Sequence, residues 1–98
     1  MQPIGYDGIA LRPAVAMGVV AAQIVLGNLR RKRLVLQNDG DNDLYLGTTT
    51  AVARNGVRLN AGGGSIVMEP DRLGRIYTGP VFGVTVAGAT ICLIWEEG

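Results

Sequence analysis

An antiparallel all-β domain, either a sandwich or a barrel, is the fold that this sequence predicts. Short apolar runs alternate with polar residues, turn residues recur about every eight to twelve positions, and no stretch has a convincing helical period. We count seven or eight short strands, a pattern typical of sandwiches and barrels. The chain has 98 residues, enough for one domain with one core, and its 15 glycines are in keeping with many tight turns.

The beginning of the chain predicts an extended arm. Proline and glycine interrupt residues 1–17, yet this segment is apolar. Its apolar side chains include Ile4, Tyr6, Ile9 and Leu11. A frayed terminus is the alternative, but disordered tails are usually polar. We therefore expect residues 1–20 to form an arm that buries side chains on a neighbouring subunit, and residues 21–98 to form the β-sandwich domain.

The apolar run at residues 14–26 is too short to cross a membrane. It has 13 residues and contains Gln23, whereas a spanning helix needs about 20 apolar residues. A secretory signal peptide is an alternative, although Asp7 and Pro13 are poorly placed for one. We favour a strand at residues 22–26 and expect no contact with a membrane.

Residues 30–46 predict a central β-hairpin. Four cations precede an alternating aliphatic run, and the segment Asn-Asp-Gly-Asp-Asn-Asp at residues 38–43 separates this run from a second one, Leu-Tyr-Leu. Asn, Asp and Gly tolerate the dihedral angles that turns require. We expect the two runs to pair with each other.

The second half of the chain predicts a further series of strands. Asn55-Gly56 predicts a hairpin turn between residues 51–53 and 57–59. Further strands are expected at residues 65–69, 74–78, 81–86 and 89–95, the last two as a pair. Because the final run lacks polar alternation, we expect it to be central in its sheet and covered on both faces.

The composition excludes most catalytic and metal-binding chemistry. The chain has no histidine, and its single cysteine, Cys92, lies in an apolar run without a neighbouring base. The alternating Asp residues of segment 39–43 have the spacing that begins a calcium loop, but Leu44 and Thr50 stand where such a loop needs Gly and Glu. We therefore expect a solvated turn there, no metal, no cofactor and no enzymatic activity.

The cations Arg30, Arg31, Lys32 and Arg33 have three candidate roles. They can protect a strand edge, form salt bridges to an acidic partner, or contact nucleic acid. The net charge is only +1, and no aromatic residue is interleaved with the cations, so we expect no nucleic-acid partner. Trp95 is either a core residue or an intersubunit anchor.

A series of short motifs runs between residues 22 and 97. They are an asparagine, basic residues, an aliphatic strand and Gln-Asn at 28–38, LYLG at 44–47, NGVRL at 55–59, a glycine-rich loop with an aliphatic strand at 62–68, YTGPVFGV at 77–84, and a closing strand that ends in Glu96 and Glu97. In this order they resemble a pattern in small virion proteins of tailed bacteriophages, over about three quarters of the chain. Residues 1–17 have no counterpart in that pattern.

The resemblance implies a β-sandwich of the jelly-roll type and a structural role. It implies a capsid decoration, or cement, protein that binds the major capsid protein on the outside of the phage head. We expect the chain to associate with itself, with a trimer favoured and a dimer possible. The alternatives are a tail, head–tail connector or head-fibre component and, from another class, a carbohydrate-binding module. The interface candidates are Ile4, Tyr6, Ile9, Leu11, Arg30, Arg31, Lys32, Arg33 and Trp95.

Overall fold

The computed structural model describes residues 9–51 and 56–98, and they form two four-stranded antiparallel sheets. The strands are β1 (Ile9–Met17), β2 (Ala22–Val25), β3 (Arg33–Asn38), β4 (Leu44–Gly47), β5 (Val57–Leu59), β6 (Ser65–Met68), β7 (Val81–Thr85) and β8 (Thr90–Glu97). The order is β1-β8-β3-β6 in one sheet and β2-β7-β4-β5 in the other. Neither described stretch contains a helix, and the all-β prediction is confirmed.

The core lies between the inner faces of the two sheets. Alternation along β3 and β8 places Leu36 and Ile94 inside, where they pack with Leu44 and Leu46 from the other sheet. Burial of side chains of this size contributes roughly 1.5–3 kcal/mol each. A Cβ atom on Gly83 of β7 would lie 2.7 Å from Ile24 Cδ1, so the glycine leaves space that core side chains use.

Two predicted hairpins are wrong, because their strands lie in different sheets. β3 pairs with β6 and β8, whereas β4 pairs with β5 and β7. The Asx-rich segment between β3 and β4 is therefore a crossing from one sheet to the other, and β7 and β8 are likewise separated. Asn, Asp and Gly permit the sharp change of direction that both a hairpin and a crossing between sheets require. A connection of a few residues is long enough to bridge the roughly 10 Å between packed sheets.

One of the two strands of the hairpin predicted around Asn55-Gly56 is present, as β5. β5 pairs with β4, from Leu44 opposite Leu59 to Leu46 opposite Val57. The predicted partner segment 51–53 is not a strand at Ala51, and residues 52–55 lie outside the described part of the chain. The strand expected at residues 74–78 is also wrong. This segment is part of the loop between β6 and β7, in which the Asp71 carboxylate accepts hydrogen bonds from the backbone N–H groups of Leu73 and Arg75.

Strand β8 is central in its sheet, as predicted, but only one of its faces is covered. Thr90, Cys92, Ile94 and Glu96 point inward and are buried, while the residues between them point outward and Ile91 is 46% exposed. The expectation that both faces are covered is wrong. The strand lacks polar alternation because its outer face is apolar from Ile91 to Trp95, and that face is partly exposed to solvent.

Part of the segment for which we predicted an arm is a strand of the domain. β1 pairs with β8 from Ile9 opposite Glu97 to Met17 opposite Thr90, with a register shift between Arg12 and Val15. Pro13 lies at this irregularity on an edge strand, where its missing N–H is tolerated. The arm prediction is thereby confined to residues 1–8, which lie outside the described residues. Within the described residues, no helix is long and apolar enough to cross a bilayer.

Candidate interaction surfaces

Arg31 is the centre of a buried network at the end of the sandwich where β8 finishes. The residue is 3% exposed, and its Nε donates to Glu96 Oε2 at 2.8 Å. Its Nη1 donates to the carbonyls of Tyr77 and Gly79, and its Nη2 donates to the carbonyl of Leu26, all within 3.0 Å. The guanidinium therefore fastens the β2–β3 loop, the β6–β7 loop and β8 to one another.

The same network reaches the surface through Arg12. Its Nη2 lies 3.3 Å from the second oxygen of Glu96, and its side chain is about half exposed. Arg12 and Glu96 line an apolar cleft of about 440 Å³ between the edge strands β1 and β2. Glu96 therefore joins an internal cation to a surface cation, and Arg31 itself is an internal residue that no partner can contact.

The outer face of the sheet β1-β8-β3-β6 carries an apolar row across all four strands. Leu11 lies opposite Trp95, Trp95 opposite Val35, and Val35 opposite Val67. Leu11 is 62% exposed and Val67 is 47% exposed, while the two central residues are partly exposed. We call these four residues the apolar row. Ile91 and Leu93 extend it along β8.

A row of charged residues borders the apolar row toward the end of β8. Glu97 lies opposite Arg33, and Arg33 Nη2 lies 3.6 Å from Glu69 Oε1. Arg30 and Lys32 are exposed in the preceding loop, and Arg72 lies in the β6–β7 loop at the same end. Among the described residues, the end at which β1 begins therefore presents more exposed cations than carboxylates.

The opposite end of the sandwich is acidic. The segment 39–43 there contains Asp39, Asp41 and Asp43, and the other connections at this end, residues 18–21, 60–64 and 86–89, contain neither Lys nor Arg. The Asp43 carboxylate accepts a hydrogen bond from the Ala61 N–H at 2.9 Å. Across the described residues, no group of three His, Cys, Asp or Glu side chains is placed to hold a metal ion.

A neutral network fastens this acidic end. Asn38 is fully buried, and its Nδ2 donates to the carbonyls of Asn42 at 2.8 Å and Leu59 at 2.9 Å. Its Oδ1 accepts from Thr90 Oγ1 at 2.6 Å and from the Gly40 N–H at 3.2 Å. One amide therefore holds the crossing between β3 and β4 against strands β5 and β8.

Cys92 is a buried core residue. Burial raises the pKa of its thiol to about 11, although a hydrogen bond from the backbone of Gln37 acts in the opposite direction. The neutral thiol is inert at physiological pH, because the thiolate is the reactive form. Cys92 is therefore a packing residue.

The predicted interface residues do not form one surface in the structure. Leu11, Arg33 and Trp95 share the outer face of one sheet, Arg30 and Lys32 lie in an exposed loop, and Arg31 is internal. Ile4 and Tyr6 lie outside the described residues. Ile9 opens β1, and only its backbone is described.

Several residues of these surfaces were not among the candidates. Val35 and Val67 complete the apolar row, and Glu96 and Arg12 complete the Arg31 network. The missing polar alternation in β8 was the one sequence signal for an apolar outer face. Nothing in the local sequence marks Glu96 as the partner of Arg31.

Comparisons with protein-family models, with curated proteins and with solved structures found no match for this chain.

Proposed function

We propose that this chain is a structural virion protein that decorates the outside of a tailed-phage head and stabilises the shell. The observation that carries the proposal is the geometry of one end of the sandwich. β1 begins there, at the end where Arg30, Lys32 and Arg72 are exposed, and residues 1–8, which precede β1 in the sequence, are mostly apolar. An exposed cationic surface suits attachment to a large acidic assembly.

We propose further that the sandwich is a jelly roll. The supporting observation is the pairing of strands from the ends of the chain inward: β1 with β8, β2 with β7, β3 with β6, and β4 with β5. A long hairpin that rolls up on itself gives this order. Jelly rolls occur in viral capsids but also in lectins, so the fold alone does not decide the function.

We propose that the chain stabilises the shell in two ways: its arm binds a neighbouring subunit, and many copies bind each particle. Ile4 and Tyr6 of the arm would bury apolar surface on a neighbouring subunit, at roughly 1.5–3 kcal/mol for each fully buried side chain. The entropy of ordering the arm offsets part of this gain. Binding only to the assembled shell then stabilises it by mass action.

The deciding experiment is quantitative mass spectrometry of phage particles purified from the source of this chain. Copies in a simple ratio to the major capsid protein are expected for a decoration protein. A few copies per particle would replace this proposal with a tail, connector or head-fibre role. Absence from the particle would overturn the virion proposal and favour the carbohydrate-binding alternative.

The contribution of the arm is tested by deleting residues 2–8. The deletion stops before Ile9 because residues 9–17 form β1, and their removal would unfold the sheet. Capsid occupancy should fall while the thermal unfolding midpoint stays the same. Unchanged occupancy would remove the arm from the mechanism.

A further inference from the structure

We infer that the outer face of the sheet β1-β8-β3-β6 binds a second copy of this chain through a two-fold axis. The starting observation is that the apolar row crosses all four strands with Trp95 near its centre. Aromatic side chains in such positions are typical interface anchors. The inference does not depend on the virion assignment.

The size of the face suits a reversible contact. Four strands about 4.8 Å apart, with two to four outward-facing positions about 7 Å apart along each strand, give a face on the order of 400 Å², of which the apolar row is one part. Exposed apolar patches of roughly 300–600 Å² on single chains are often functional. Stable interfaces bury roughly 800 Å² on each partner, so we expect a dimer with micromolar or weaker affinity.

The arrangement of residues on this face is self-complementary. A two-fold axis parallel to the strands, between β8 and β3, places β8 of one copy over β3 of the other and β1 over β6. Trp95 then lies over Val35 of the second copy, and Leu11 lies over Val67. Apolar residues meet apolar residues at every position of the row.

The charged row fits the same axis. Glu97 of one copy lies over Arg33 of the second copy, and the symmetry repeats this pair. Packed sheets are rotated by about 30° relative to each other, which displaces residues most where they are farthest from the point at which the two sheets cross. The pairs Trp95–Val35 and Glu97–Arg33 are about 7 Å apart along the strands, and a crossing point between them keeps both contacts. Charge complementarity therefore points to a second copy as the occupant of this face.

Complementary charge reversals test this arrangement. Arg33→Glu alone and Glu97→Arg alone each place like charges over each other twice, so each should weaken self-association about tenfold. An equal mixture of the two variants restores opposite charges at both positions, and a heterodimer should form with the affinity of the original protein. Sedimentation equilibrium over a wide concentration range measures each case, and thermal unfolding confirms that the variants are folded.

A matched pair of serine substitutions tests the apolar row. Leu11→Ser should weaken self-association by about tenfold, whereas Leu29→Ser, at a residue 91% exposed in the β2–β3 loop, should leave it unchanged. If a charge-reversed variant fails to fold, Arg33→Gln and Glu97→Gln replace it, and both should weaken the dimer.

Three results would overturn the inference. The first is a protein that stays monomeric at the highest concentration, and the second is a mixture of reversed variants that does not associate. The third is a cyclic trimer, because the subunits of a trimer cannot share an isologous two-fold contact. Each result leaves the virion proposal standing, since a decoration protein can also bind its capsid as a monomer or a trimer.

Discussion

At one end of the sandwich a neutral amide, Asn38, holds the crossing between sheets, whereas at the other end a guanidinium, Arg31, has this role. Asn38 makes four hydrogen bonds and carries no charge. Arg31 makes four hydrogen bonds and also needs the carboxylate of Glu96 to balance its charge. Among the described residues, no buried side-chain nitrogen or oxygen lacks a partner, so both networks are complete.

The difference between the two ends concerns what remains when one partner is removed. Loss of an amide leaves unpaired dipoles, which cost about 1–3 kcal/mol for each buried group. Loss of the guanidinium leaves unpaired carbonyls and also a buried carboxylate, and uncompensated charge costs more. We therefore expect the charged end to be the more sensitive one, although an ion pair is not the more stabilising arrangement in itself.

The largest expected effect is that of Arg31→Met. The substitution keeps an apolar stem but leaves three backbone carbonyls without a donor and Glu96 with only Arg12, so the free energy of unfolding should fall by about 3–5 kcal/mol. Urea unfolding measures this change. Arg31→Lys should recover little, because an ammonium cannot reproduce the planar fork.

The control for this prediction is Arg30→Met, which makes the same change at an exposed neighbour and should alter stability by less than about 0.5 kcal/mol. The double variant Arg31→Met with Glu96→Met removes both charges and should be more stable than Arg31→Met alone. A loss below about 1 kcal/mol for Arg31→Met would show that water replaces the guanidinium, and the comparison between the ends would fail.

The second prediction concerns the neutral end. Asn38→Ala leaves the Thr90 hydroxyl and two carbonyls without their partner, and should lower the free energy of unfolding by about 2–4 kcal/mol. Asn60→Ala is the matched change at an exposed asparagine and should have almost no effect. Urea unfolding measures this loss, and measurements at several salt concentrations compare how the losses for Asn38→Ala and Arg31→Met depend on salt. A larger loss for Asn38→Ala than for Arg31→Met would reverse our ranking of the two ends.

The sequence predicts which face of a strand is buried better than it predicts which strand lies beside it. Alternation in residues 33–38 correctly places Leu34 and Leu36 inside, because side chains of a strand point to opposite faces in turn. The same pattern does not identify the sheet to which the strand belongs. The Asx-rich segment after β3 satisfies a hairpin turn and a crossing equally well, and only packing of the whole core decides between them.

The sequence does not predict the polar networks either, because their partners come from distant parts of the chain. Arg31 lies in a run of four cations, which is the usual pattern of a solvated surface, and its carboxylate partner is 65 residues away along the chain. Burial of this one cation depends on the loops that meet around it. The apolar row was partly predictable, since Leu11 and Trp95 were candidates, but the register that aligns them with Val35 and Val67 exists only in the folded sheet.

The smallest expected effect comes from Cys92, which lies between the two ends, and this effect appears only in alkaline solution. Cys92 is on β8 between Thr90, which contacts Asn38, and Glu96, which contacts Arg31. Burial raises the thiol pKa from 9.0 to about 11, so between these values the unfolded chain has released a proton that the folded chain still holds. The unfolded state is then favoured, and the free energy of unfolding should fall by roughly 2–3 kcal/mol as the pH rises through this window.

The contribution of Cys92 is isolated by comparison with Cys92→Ala. The variant loses some packing at every pH, but the thiol part of its alkaline decline should be absent, so the two urea midpoints should converge between about pH 8 and about pH 11. Parallel curves for the two proteins would mean that the thiol ionises as easily in the folded state as in the unfolded one, which its complete burial between the two networks opposes.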